Sequence, residues 1–392
     1  MKQLLYYGCA LMMLMLSGSN AEGIKTSGIQ TGADRTDQWL PKIKDQKVGL
    51  LVNHTSMVGE THLVDKMLSE GVEVTRIFAP EHGFRGDADA GEHVDDTVDK
   101  ETGVPVVSIY GDNREPSPEQ MTDMDVVIFD VQDVGVRFYT YISSMHNMMQ
   151  ACAENDIDFI VLDRPNPNGD YYDGPVLEPE FTSFVGMHPI PVVHGLTVGE
   201  LAHMINGEGW LEDDMKCDLE VVKMKNYTHD SKYSLPVKPS PNLPNDLSVR
   251  IYPSLCLFEA TIMSVGRGTD FPFQVVGAPD PVYGDFTFTP RSIEGMDKDP
   301  RYKGEKCYGE DFRGLDPWEQ KFSLEPFFRF YEKSGRDSSF VSRRRWFHLL
   351  SGTDKLLQQI EDGMTEEEIQ ESWEEELETY GKLRKKYALY PL

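Results

Sequence analysis

The feature of this sequence that most constrains its fold is a regular alternation of short apolar runs with helical stretches, between Lys47 and about Tyr227. The apolar runs, rich in valine and isoleucine, predict β-strands at 48–52, 72–79, 104–110, 126–131, 159–162 and 219–224. The segments between them predict helices at 63–69, 118–124, 141–155 and 198–207. Near-continuous apolar strands joined by helices are typical of parallel sheets buried on both faces. The sequence therefore predicts an α/β fold with a doubly wound, mostly parallel sheet.

A proline-rich passage at 235–244 ends this alternation, since proline lacks the N–H donor that helix interiors and central strands need. At 392 residues the chain also exceeds the usual size of one domain, about 100–200 residues. We therefore predict a first domain at 22–232 and a smaller C-terminal α+β domain at 233–392. The part at 231–347 is rich in Pro, Gly and aromatic residues and is expected to be irregular and strand-rich.

The C-terminal tail predicts one amphipathic helix. Thr365 and Glu368 have the spacing of a capping box, which satisfies backbone N–H groups in the first helical turn. Apolar and aromatic residues then recur at helical spacing on one face, at Ile369, Trp373, Leu377, Tyr380, Leu383 and Tyr387. We expect this face to dock the helix on the rest of the protein.

The N-terminus has the pattern of a secretory signal peptide at 1–21. Lys2 precedes an apolar stretch at 4–16, and Ala21 ends a small-x-small cleavage site. The stretch falls short of the roughly 18–20 residues that span a bilayer, so a membrane anchor is not expected. The mature chain is predicted to be exported to the periplasm or out of the cell, without membrane association.

Charge and motif content argue against several partners and cofactors. The chain has 66 acidic and 38 basic residues, a net charge of −28, which disfavours nucleic acid and anionic membranes as partners. No G-x-G-x-x-G follows the first strand and no G-x-x-x-x-G-K-[ST] occurs, so no nucleotide cofactor is predicted. The four cysteines after the leader form no C-x-x-C pair, so a thiolate zinc site is not expected and no disulfide is assigned.

Polar segments follow four of the predicted strands, at the points where the strands end. In an open parallel sheet, ligands bind beyond the carboxyl ends of the strands, so these segments should converge on one site. The candidate residues in them are Asn53, His54, Glu81, His82, Arg85, Gln132, Asp133, Arg137, Asp163, Arg164 and Asn166.

Glu81 is the candidate general acid. It follows an apolar strand and stands beside Gly83 and Phe84, so its carboxyl group would lie in partly apolar surroundings. Such surroundings disfavour the ionised form and make a carboxyl group a better proton donor near neutral pH. The alternative interpretation is a solvated loop glutamate paired with Arg85.

Asp130 and Asp133 could place carboxylates on both sides of the fourth strand end. One could act as base or nucleophile while the other orients a neighbour. Arg137, Tyr139 and Tyr141 follow them and could contact a ligand. Alternatively, Asp130 pairs with Arg137 or caps a helix.

A loop in the second half combines Glu259 with Thr269 and with Arg267, which lies between two glycines. Such an arginine is suited to binding the carboxylate of a ligand, which a protein this acidic otherwise repels. The alternative is that Arg267 is tied to the carbonyl groups of its own loop. If this loop closes over the polar edge of the sheet, the active site lies between the two domains.

Six segments together resemble a known family, and the resemblance runs from about residue 28 to residue 392. They are VNHT (52–55), APEHGFRG (79–86), DVQDVGVRFYTY (130–141), LDRPNP (162–167), PSPNLP (239–244) and SVGRGT (264–269). The family is that of the exo-acting β-N-acetylmuramidases of bacterial cell-wall recycling, long known as a domain of unknown function. The resemblance implies a Rossmann-like catalytic domain, a smaller auxiliary domain and a cleft between them. Asn242, within PSPNLP, is a further expected substrate contact.

The resemblance also implies a reaction, the release of N-acetylmuramic acid from the non-reducing end of peptidoglycan fragments such as muropeptides or disaccharides. It assigns the catalytic glutamate to Glu81. Glycoside hydrolysis usually needs a second carboxylate, and Asp133 or Asp130 is expected to supply it unless the acetamido group of the substrate does so. Arg137 or Arg267 is expected to bind the lactyl carboxylate of muramic acid.

Two other functions stay compatible with the sequence. A metal-dependent esterase or phosphatase could use His54, His82, Asp130, Asp133 and Asp163 as ligands. No H-x-x-x-H or H-E-x-x-H spacing supports metal binding, so neither a metal nor another cofactor is predicted. A periplasmic muropeptide-binding protein would also place two domains around a cleft.

Overall fold

A computed structural model describes residues 28–81, 83–85 and 97–392. Within these ranges the strands are β1 (Lys47–Val52), β2 (Met57–Val58), β3 (Thr61–His62), β4 (Glu73–Ala79), β5 (Thr97–Val98), β6 (Pro105–Ser108), β7 (Val126–Asp130), β8 (Asp158–Leu162), β9 (Leu219–Val222), β10 (Val275–Ala278), β11 (Phe286–Phe288) and β12 (Cys307–Asp311). The helices are α1 (Thr36–Ile43), α2 (Leu63–Ser69), α3 (Tyr141–Glu154), α4 (Val198–Glu208), α5 (Asp246–Leu255), α6 (Glu325–Lys333), α7 (Arg344–Ser351), α8 (Lys355–Glu361), α9 (Glu366–Glu371) and α10 (Glu374–Tyr387). The signal peptide predicted at 1–21 and the candidate residue His82 lie outside the described residues.

Seven strands form the central sheet, in the order β5-β6-β4-β1-β7-β8-β9. Neighbouring strands are parallel except for β5 and β6. Without the edge strand β5, the parallel strands follow the chain order 3-2-1-4-5-6 of doubly wound sheets, in which the direction of winding reverses between β1 and β7. These parallel strands are the six that the sequence predicts, so the predicted fold class is confirmed.

Both faces of the sheet are covered by helices. Each strand packs against both layers, because successive residues of a strand point to opposite faces. On β1, Leu50 packs in the apolar cluster of α1 and α2, whereas Leu51 packs in the cluster of α3 and α4. Val126 and Val127 on β7 divide between the two clusters in the same way. This double burial explains why the strand sequences are apolar throughout.

Three of the four predicted helices of the first half match α2, α3 and α4. In place of the fourth, at 118–124, the structure has a short 3₁₀ turn at Pro118–Met121. The turn ends at Thr122, whose backbone is extended with φ of −70° and ψ of 157°, and the left-handed backbone of Asp123, with φ of 61°, follows it. None of the helices in the described residues is both long and apolar enough to cross a membrane.

The second half is more helical than the sequence predicts. The part at 231–347 contains α5, α6 and the start of α7, and its sheet is a small antiparallel one of β10, β12 and β11. Its aromatic residues pack on helix faces, as do Phe327 and Phe330, three residues apart on α6 and both fully buried. The expectation of a strand-rich region was wrong because aromatic residues favour strands in general, whereas these recur at helical spacing.

The C-terminal tail begins with the predicted capping box of Thr365 and Glu368, but it forms two helices instead of one. The backbone of Trp373, with φ of −110° and ψ of 5°, separates α9 from α10. α10 then packs on α4 in the first half of the chain. There the Tyr380 hydroxyl donates to the carbonyl oxygen of His194 at 2.6 Å. The predicted apolar face therefore docks the tail, as expected.

The two halves of the chain share one apolar cluster. It contains Phe138, from the loop after β7, together with Phe273 and Phe327 from the second half. The boundary predicted near residue 232 stays a prediction.

The four described cysteines, Cys152, Cys217, Cys256 and Cys307, are buried, and none of them forms a disulfide. Burial raises the pKa of the Cys152 and Cys256 thiols well above the ordinary value. These two side chains therefore stay protonated and pack as small apolar groups.

Candidate active site

A cavity of about 390 Å³ lies where the loops after the parallel strands meet the second half of the chain. Its wall from the first half includes Glu81, Tyr110, Arg114, Tyr139 and Thr140. Its wall from the second half includes Asn242, Glu259, Arg267 and Trp346. Five of the residues that the sequence singles out therefore line one cavity, namely Glu81, Tyr139, Asn242, Glu259 and Arg267.

Glu81 is held at the wall of this cavity by two hydroxyl groups. Its Oε1 accepts a hydrogen bond from the Tyr110 hydroxyl at 3.0 Å, and its Oε2 accepts one from Thr140 Oγ1 at 3.2 Å. Glu81 follows β4, Tyr110 follows β6 and Thr140 precedes α3, so three elements fix the carboxyl group. Burial raises the pKa of the Tyr110 hydroxyl and the charge of Glu81 raises it further, so Tyr110 remains a proton donor.

The alternative interpretation of Glu81, as a loop residue paired with Arg85, is contradicted. Arg85 Nη2 donates to Asp99 Oδ2 at 2.9 Å, and the guanidinium lies over the Phe84 ring, 4.4 Å from its centroid. Arg85 is thus satisfied elsewhere, and it is not among the residues that line the cavity.

Tyr139 and Tyr141 fasten the proline-rich passage to the sheet. Both hydroxyl groups donate to the carbonyl oxygen of Pro239, at 2.7 and 3.2 Å, and the two rings meet edge to face. Burial raises the pKa of both hydroxyls, so both remain donors. Tyr139 lines the cavity whereas Tyr141 does not, and their shared contact brings the passage that carries Asn242 to the cavity wall.

Asp130, one of the predicted catalytic carboxylates, is fully buried in an ion pair with Arg164. Arg164 Nε donates to Oδ1 at 2.6 Å, and Arg164 Nη2 donates to Oδ2 at 2.9 Å. The alternative in which Asp130 pairs with Arg137 is contradicted, because Arg164 follows the neighbouring strand β8 and reaches Asp130 directly. Neither partner lines the cavity, so the pair stabilises the strand ends behind it.

Asp133, the other predicted carboxylate, is also buried and is not part of the cavity wall. Its Oδ2 accepts a hydrogen bond from the Gly135 amide at 2.6 Å and lies 3.6 Å from His194 Nε2. Gly135 has φ of +77°, and a Cβ there would come within 2.1 Å of Asn166 Oδ1, so this tight turn requires glycine. The geometry gives Asp133 a role in the turn, and its catalytic role stays a prediction.

Arg137 does not bind a ligand carboxylate in this geometry, contrary to one expectation. It is fully buried, and burial lowers the pKa of its guanidinium to about 9. The guanidinium donates hydrogen bonds of 2.6–3.0 Å to the main-chain carbonyl oxygens of Pro175, Ile190, Leu350 and Ser351. Arg137 therefore joins the loop after β7 to the end of α7.

Asn53, His54, Gln132 and Asn166 stabilise the strand-end loops and do not line the cavity. Asn53 Oδ1 accepts hydrogen bonds from both the amide and the hydroxyl group of Thr55. The other three side chains bond to main-chain carbonyl oxygens, those of Lys238, Pro165 and Leu196, respectively. These four side chains therefore support the loops that form the cavity wall and do not contact the cavity themselves.

Asp163 anchors the end of the chain rather than a ligand. Its carboxylate accepts hydrogen bonds from Thr197 Oγ1 at 2.8 Å, the Gly199 amide at 2.9 Å and the Tyr390 hydroxyl at 2.6 Å. Burial raises the pKa of this carboxyl group to about 7.

Glu259 and Arg267 form an ion pair in the cavity wall. Arg267 Nη2 and Nε donate to Glu259 Oε1 at 2.7 and 2.9 Å. Burial would lower the pKa of the guanidinium, but the Glu259 carboxylate more than offsets this and raises it, so Arg267 remains charged. The alternative in which Arg267 binds carbonyl groups of its own loop is contradicted.

Thr269, by contrast, does close that loop, because its hydroxyl group donates to the carbonyl oxygen of Gly266 at 2.6 Å.

Asn242 offers the cavity an unsatisfied acceptor. Its Nδ2 donates to the carbonyl oxygen of Met296 at 3.1 Å, whereas its buried Oδ1 has no hydrogen-bond partner among the described residues. A buried amide oxygen without a partner is costly, so it is suited to receive an N–H or O–H group of a ligand.

Tyr110, Arg114, Thr140 and Trp346 are among the cavity residues that the sequence did not single out. Tyr110 is the last residue of a predicted strand, and Thr140 lies between two tyrosines already singled out, so strand-end position could have identified both. Arg114 and Trp346 carry no such signal, because only the tertiary fold brings the loop after β6 and helix α7 to the cavity.

The metal-binding alternative receives no geometric support in the described part of the chain. There, no group of three or more His, Cys, Asp or Glu side chains is arranged to hold a metal ion. Of its five proposed ligands, Asp130 is occupied by Arg164 and Asp163 by hydroxyl and amide donors.

A doubly wound sheet with a carboxylate-bearing cavity at the carboxyl ends of its strands defines an α/β enzyme acting on a small polar ligand. Comparison with known families specifies it further. Residues 48–247 match the N-terminal part, and residues 250–390 the C-terminal part, of the family described as exo-β-N-acetylmuramidase NamZ. The chain therefore belongs to the exo-β-N-acetylmuramidase NamZ family, which confirms the resemblance.

Individual relatives agree with this assignment. The chain is 38% identical to the peptidoglycan β-N-acetylmuramidase NamZ of Bacillus subtilis (strain 168), over 95% of this chain and 94% of that protein. Two crystal structures of DUF1343 family proteins from Bacteroides fragilis NCTC 9343 are similar in fold. One has a TM-score of 0.86 at 44% identity and covers 93% of this chain and 99% of its own. The other has a TM-score of 0.80 at 30% identity and covers 92% and 99%.

Proposed function

We propose that this protein is an exo-acting glycoside hydrolase that releases N-acetylmuramic acid from the non-reducing end of peptidoglycan fragments. Family membership and the Bacillus subtilis relative support this reaction. The observation that carries the proposal is the Glu81 carboxyl group, held by two hydroxyls at the wall of the cavity. The cavity volume, about 390 Å³, is at the lower end of the usual range for ligand pockets, about 300–1,000 Å³. Such a volume suits one terminal sugar better than the interior of a glycan chain.

Glu81 is the general acid in this proposal. It gives its proton to the glycosidic oxygen as the bond to the anomeric carbon breaks, which makes the aglycone a better leaving group. The Tyr110 and Thr140 hydroxyls, one on each carboxyl oxygen, fix the plane of the group, so that its proton is aimed at one position. Apolar side chains in the lining of the same cavity, including Phe184 and Trp346, limit the access of water to this proton.

The second group in the reaction is better placed at Glu259 than at Asp130 or Asp133. Glu259 lines the cavity, whereas the two aspartates lie behind its wall. Arg267 occupies Glu259 Oε1, whereas Oε2 has a long contact of 3.9 Å from the Cys256 thiol, which a water molecule or a substrate hydroxyl group could replace. Alternatively the substrate's own acetamido group acts as nucleophile, with Asn242 Oδ1 accepting its N–H.

The test is hydrolysis of a chromogenic N-acetylmuramic acid β-glycoside beside its N-acetylglucosamine counterpart. Glu81→Gln should lower kcat/KM for the muramic substrate by about 10²–10⁴-fold while leaving the melting temperature unchanged. Glu73→Gln is the matched control, because Glu73 lies exposed at the opposite end of the same strand. Full activity of Glu81→Gln would remove its catalytic role.

Two outcomes would replace the proposal as a whole. If the wild-type protein binds free N-acetylmuramic acid but releases no product, it is a muropeptide-binding protein. If turnover stops after exhaustive chelation and returns with a divalent metal, it is a metal-dependent hydrolase.

We also propose that the mature protein is exported. The support is the basic, apolar and small-residue pattern of residues 1–21. N-terminal sequencing of the protein recovered outside the cytoplasm should begin at Glu22, and recovery with Met1 intact from the cytoplasm alone would contradict export.

A further inference from the structure

A second cavity, of about 240 Å³, adjoins the cavity of Glu81, and we call it the side cavity. The two cavities share Glu259, Arg267 and Trp346 in their walls. The side cavity is lined in addition by Arg301 and Arg343. A substituent of a sugar bound beside Glu81 can therefore extend past the shared residues to these two arginines.

The side cavity is cationic, in contrast to the protein as a whole. Its wall has three arginines, Arg267, Arg301 and Arg343, against one glutamate, Glu259. Glu259 pairs with Arg267, and within the described ranges no carboxylate pairs with either of the other two. In a chain of net charge −28, two uncompensated guanidinium groups on one concave surface indicate an anion site.

The Arg343 side chain stacks on an aromatic ring. Its guanidinium lies over the Trp346 ring, 5.2 Å from the centroid, and its amide donates to the carbonyl oxygen of Ala260 at 2.9 Å. A stacked guanidinium loses little freedom when it binds, and its planar donors match a carboxylate. This geometry suits an oxyanion, and a carboxylate is the oxyanion that muramic acid carries.

We propose that the side cavity binds a carboxylate carried on the lactyl arm at C3 of the muramic acid ring, and so distinguishes this sugar from N-acetylglucosamine. The inference rests on the proposed function, because it takes the sugar to be bound beside Glu81. The carboxylate comes from the lactyl group itself, or from a peptide attached to it. In both cases Arg301 and Arg343 donate to its oxygens and are specificity-determining residues.

The other two cavity arginines are less suited to this role. Arg267 already forms an ion pair with Glu259. Arg114 lies over the Phe184 ring and lines the cavity of Glu81 but not the side cavity.

The test compares ligands that differ only in charge, by calorimetric titration of the full-length mature protein. The ligands are N-acetylmuramic acid and its methyl ester, which is neutral and nearly the same size. The wild-type protein should bind the acid about tenfold or more tightly than the ester, as expected when charge-assisted hydrogen bonds are lost. The double variant Arg301→Gln/Arg343→Gln should bind both equally.

The matched control is Arg344→Gln. Arg344 is the neighbour of Arg343 but pairs with Glu361 and lines neither cavity, so this change removes the same charge without touching the side cavity. It should keep the preference for the acid. Because all three arginines are exposed, no variant should unfold, and the single variants Arg301→Gln and Arg343→Gln should each lose part of the preference.

A third ligand separates the two sources of the carboxylate. In N-acetylmuramoyl-L-alanyl-D-glutamate the lactyl carboxylate is an amide and the charges lie on the glutamate. If the double variant lowers the affinity for this ligand only, the side cavity receives the peptide. If it lowers the affinity for free N-acetylmuramic acid only, the side cavity receives the lactyl group. Unchanged affinity for both would overturn the proposal.

The two proposals fail separately. A wild-type enzyme that hydrolyses the muramic glycoside, with a double variant that binds both carboxylate ligands as tightly as the wild-type protein does, would refute the side cavity alone. A wild-type protein that hydrolyses nothing, with a double variant that binds either carboxylate ligand more weakly, would refute the hydrolase and retain the side cavity.

Discussion

The two hydroxyl groups that donate to Glu81 show what a single residue contributes to this site. Tyr110→Phe removes the donor to Oε1 and keeps the ring, so the carboxyl group should lose its fixed plane without loss of the fold. A hydrogen bond to a charged group is worth about 1.5–3 kcal/mol, so we expect kcat for the muramic glycoside to fall about 10–100-fold with little change in KM. Tyr308→Phe, on β12 and outside the cavity, is the control. Equal kcat values for the two variants would contradict the positioning role.

Single residues differ in how far the sequence alone predicts their positions. Glu81 could be predicted because its position depends on the end of one strand, which local periodicity identifies. The partner of Asp130 could not, since both Arg137 and Arg164 are close enough in sequence and only the pairing of β7 with β8 decides between them. Likewise, the sequence indicates Glu259 only as part of a polar loop, and tertiary packing is what brings it into the same cavity as Glu81.

Among the secondary-structure elements, α7 links the sheet to both cavities. It carries Trp346, and Arg137 from the first half binds the carbonyl groups at its end. Gly352 ends the helix with φ of +79°, and a Cβ there would lie 2.5 Å from Arg137 Nη2. The end of α7 therefore has room for the guanidinium only because residue 352 is glycine.

Gly352→Ala should test this contact against Gly335→Ala, which has φ of +72° but no atom within 4 Å of the added Cβ. The left-handed backbone alone costs an alanine about 1–2 kcal/mol, which is the loss expected for Gly335→Ala. Gly352→Ala should lose about 1–3 kcal/mol more, because Arg137 must move. The free energies of unfolding from urea titrations measure both losses. Equal losses would show that the Arg137 guanidinium moves away from the added Cβ at no cost in stability.

The elements themselves could be predicted where their signal is local. The six parallel strands follow from continuous apolar runs, and the capping box at Thr365 follows from two side chains three residues apart. The helices of the second half could not be predicted in the same way. There, aromatic residues that favour strands in isolation are buried along helix faces, as at Phe327 and Phe330 of α6.

At the scale of the whole molecule, Asp163 makes stability depend on pH. The pKa of this carboxyl group is about 7 in the folded protein and about 3.9 when unfolded. Between these values the unfolded chain releases a proton that the folded chain retains. The contribution of Asp163 is therefore complete below about pH 4 and is lost as the pH rises to 7, by up to about 4 kcal/mol.

The measurement is the free energy of unfolding of the wild-type protein and of Asp163→Asn at pH 5 and pH 8. The wild-type protein should lose more stability between the two pH values than the variant, which has no proton to release at this position. Parallel changes would mean that Asp163 ionises in the folded protein as easily as in the unfolded chain.

The chain repeatedly crosses between its halves. Arg137 bonds the end of α7, Arg250 pairs with Asp170, and Tyr390 returns to Asp163. These contacts limit recombination within the family. A chimera that joins the first half of one relative to the second half of another would mismatch the side chains that cross between the halves, both in these polar contacts and in the apolar cluster that the halves share. Each half can therefore be replaced only if its contact residues in the other half are replaced with it.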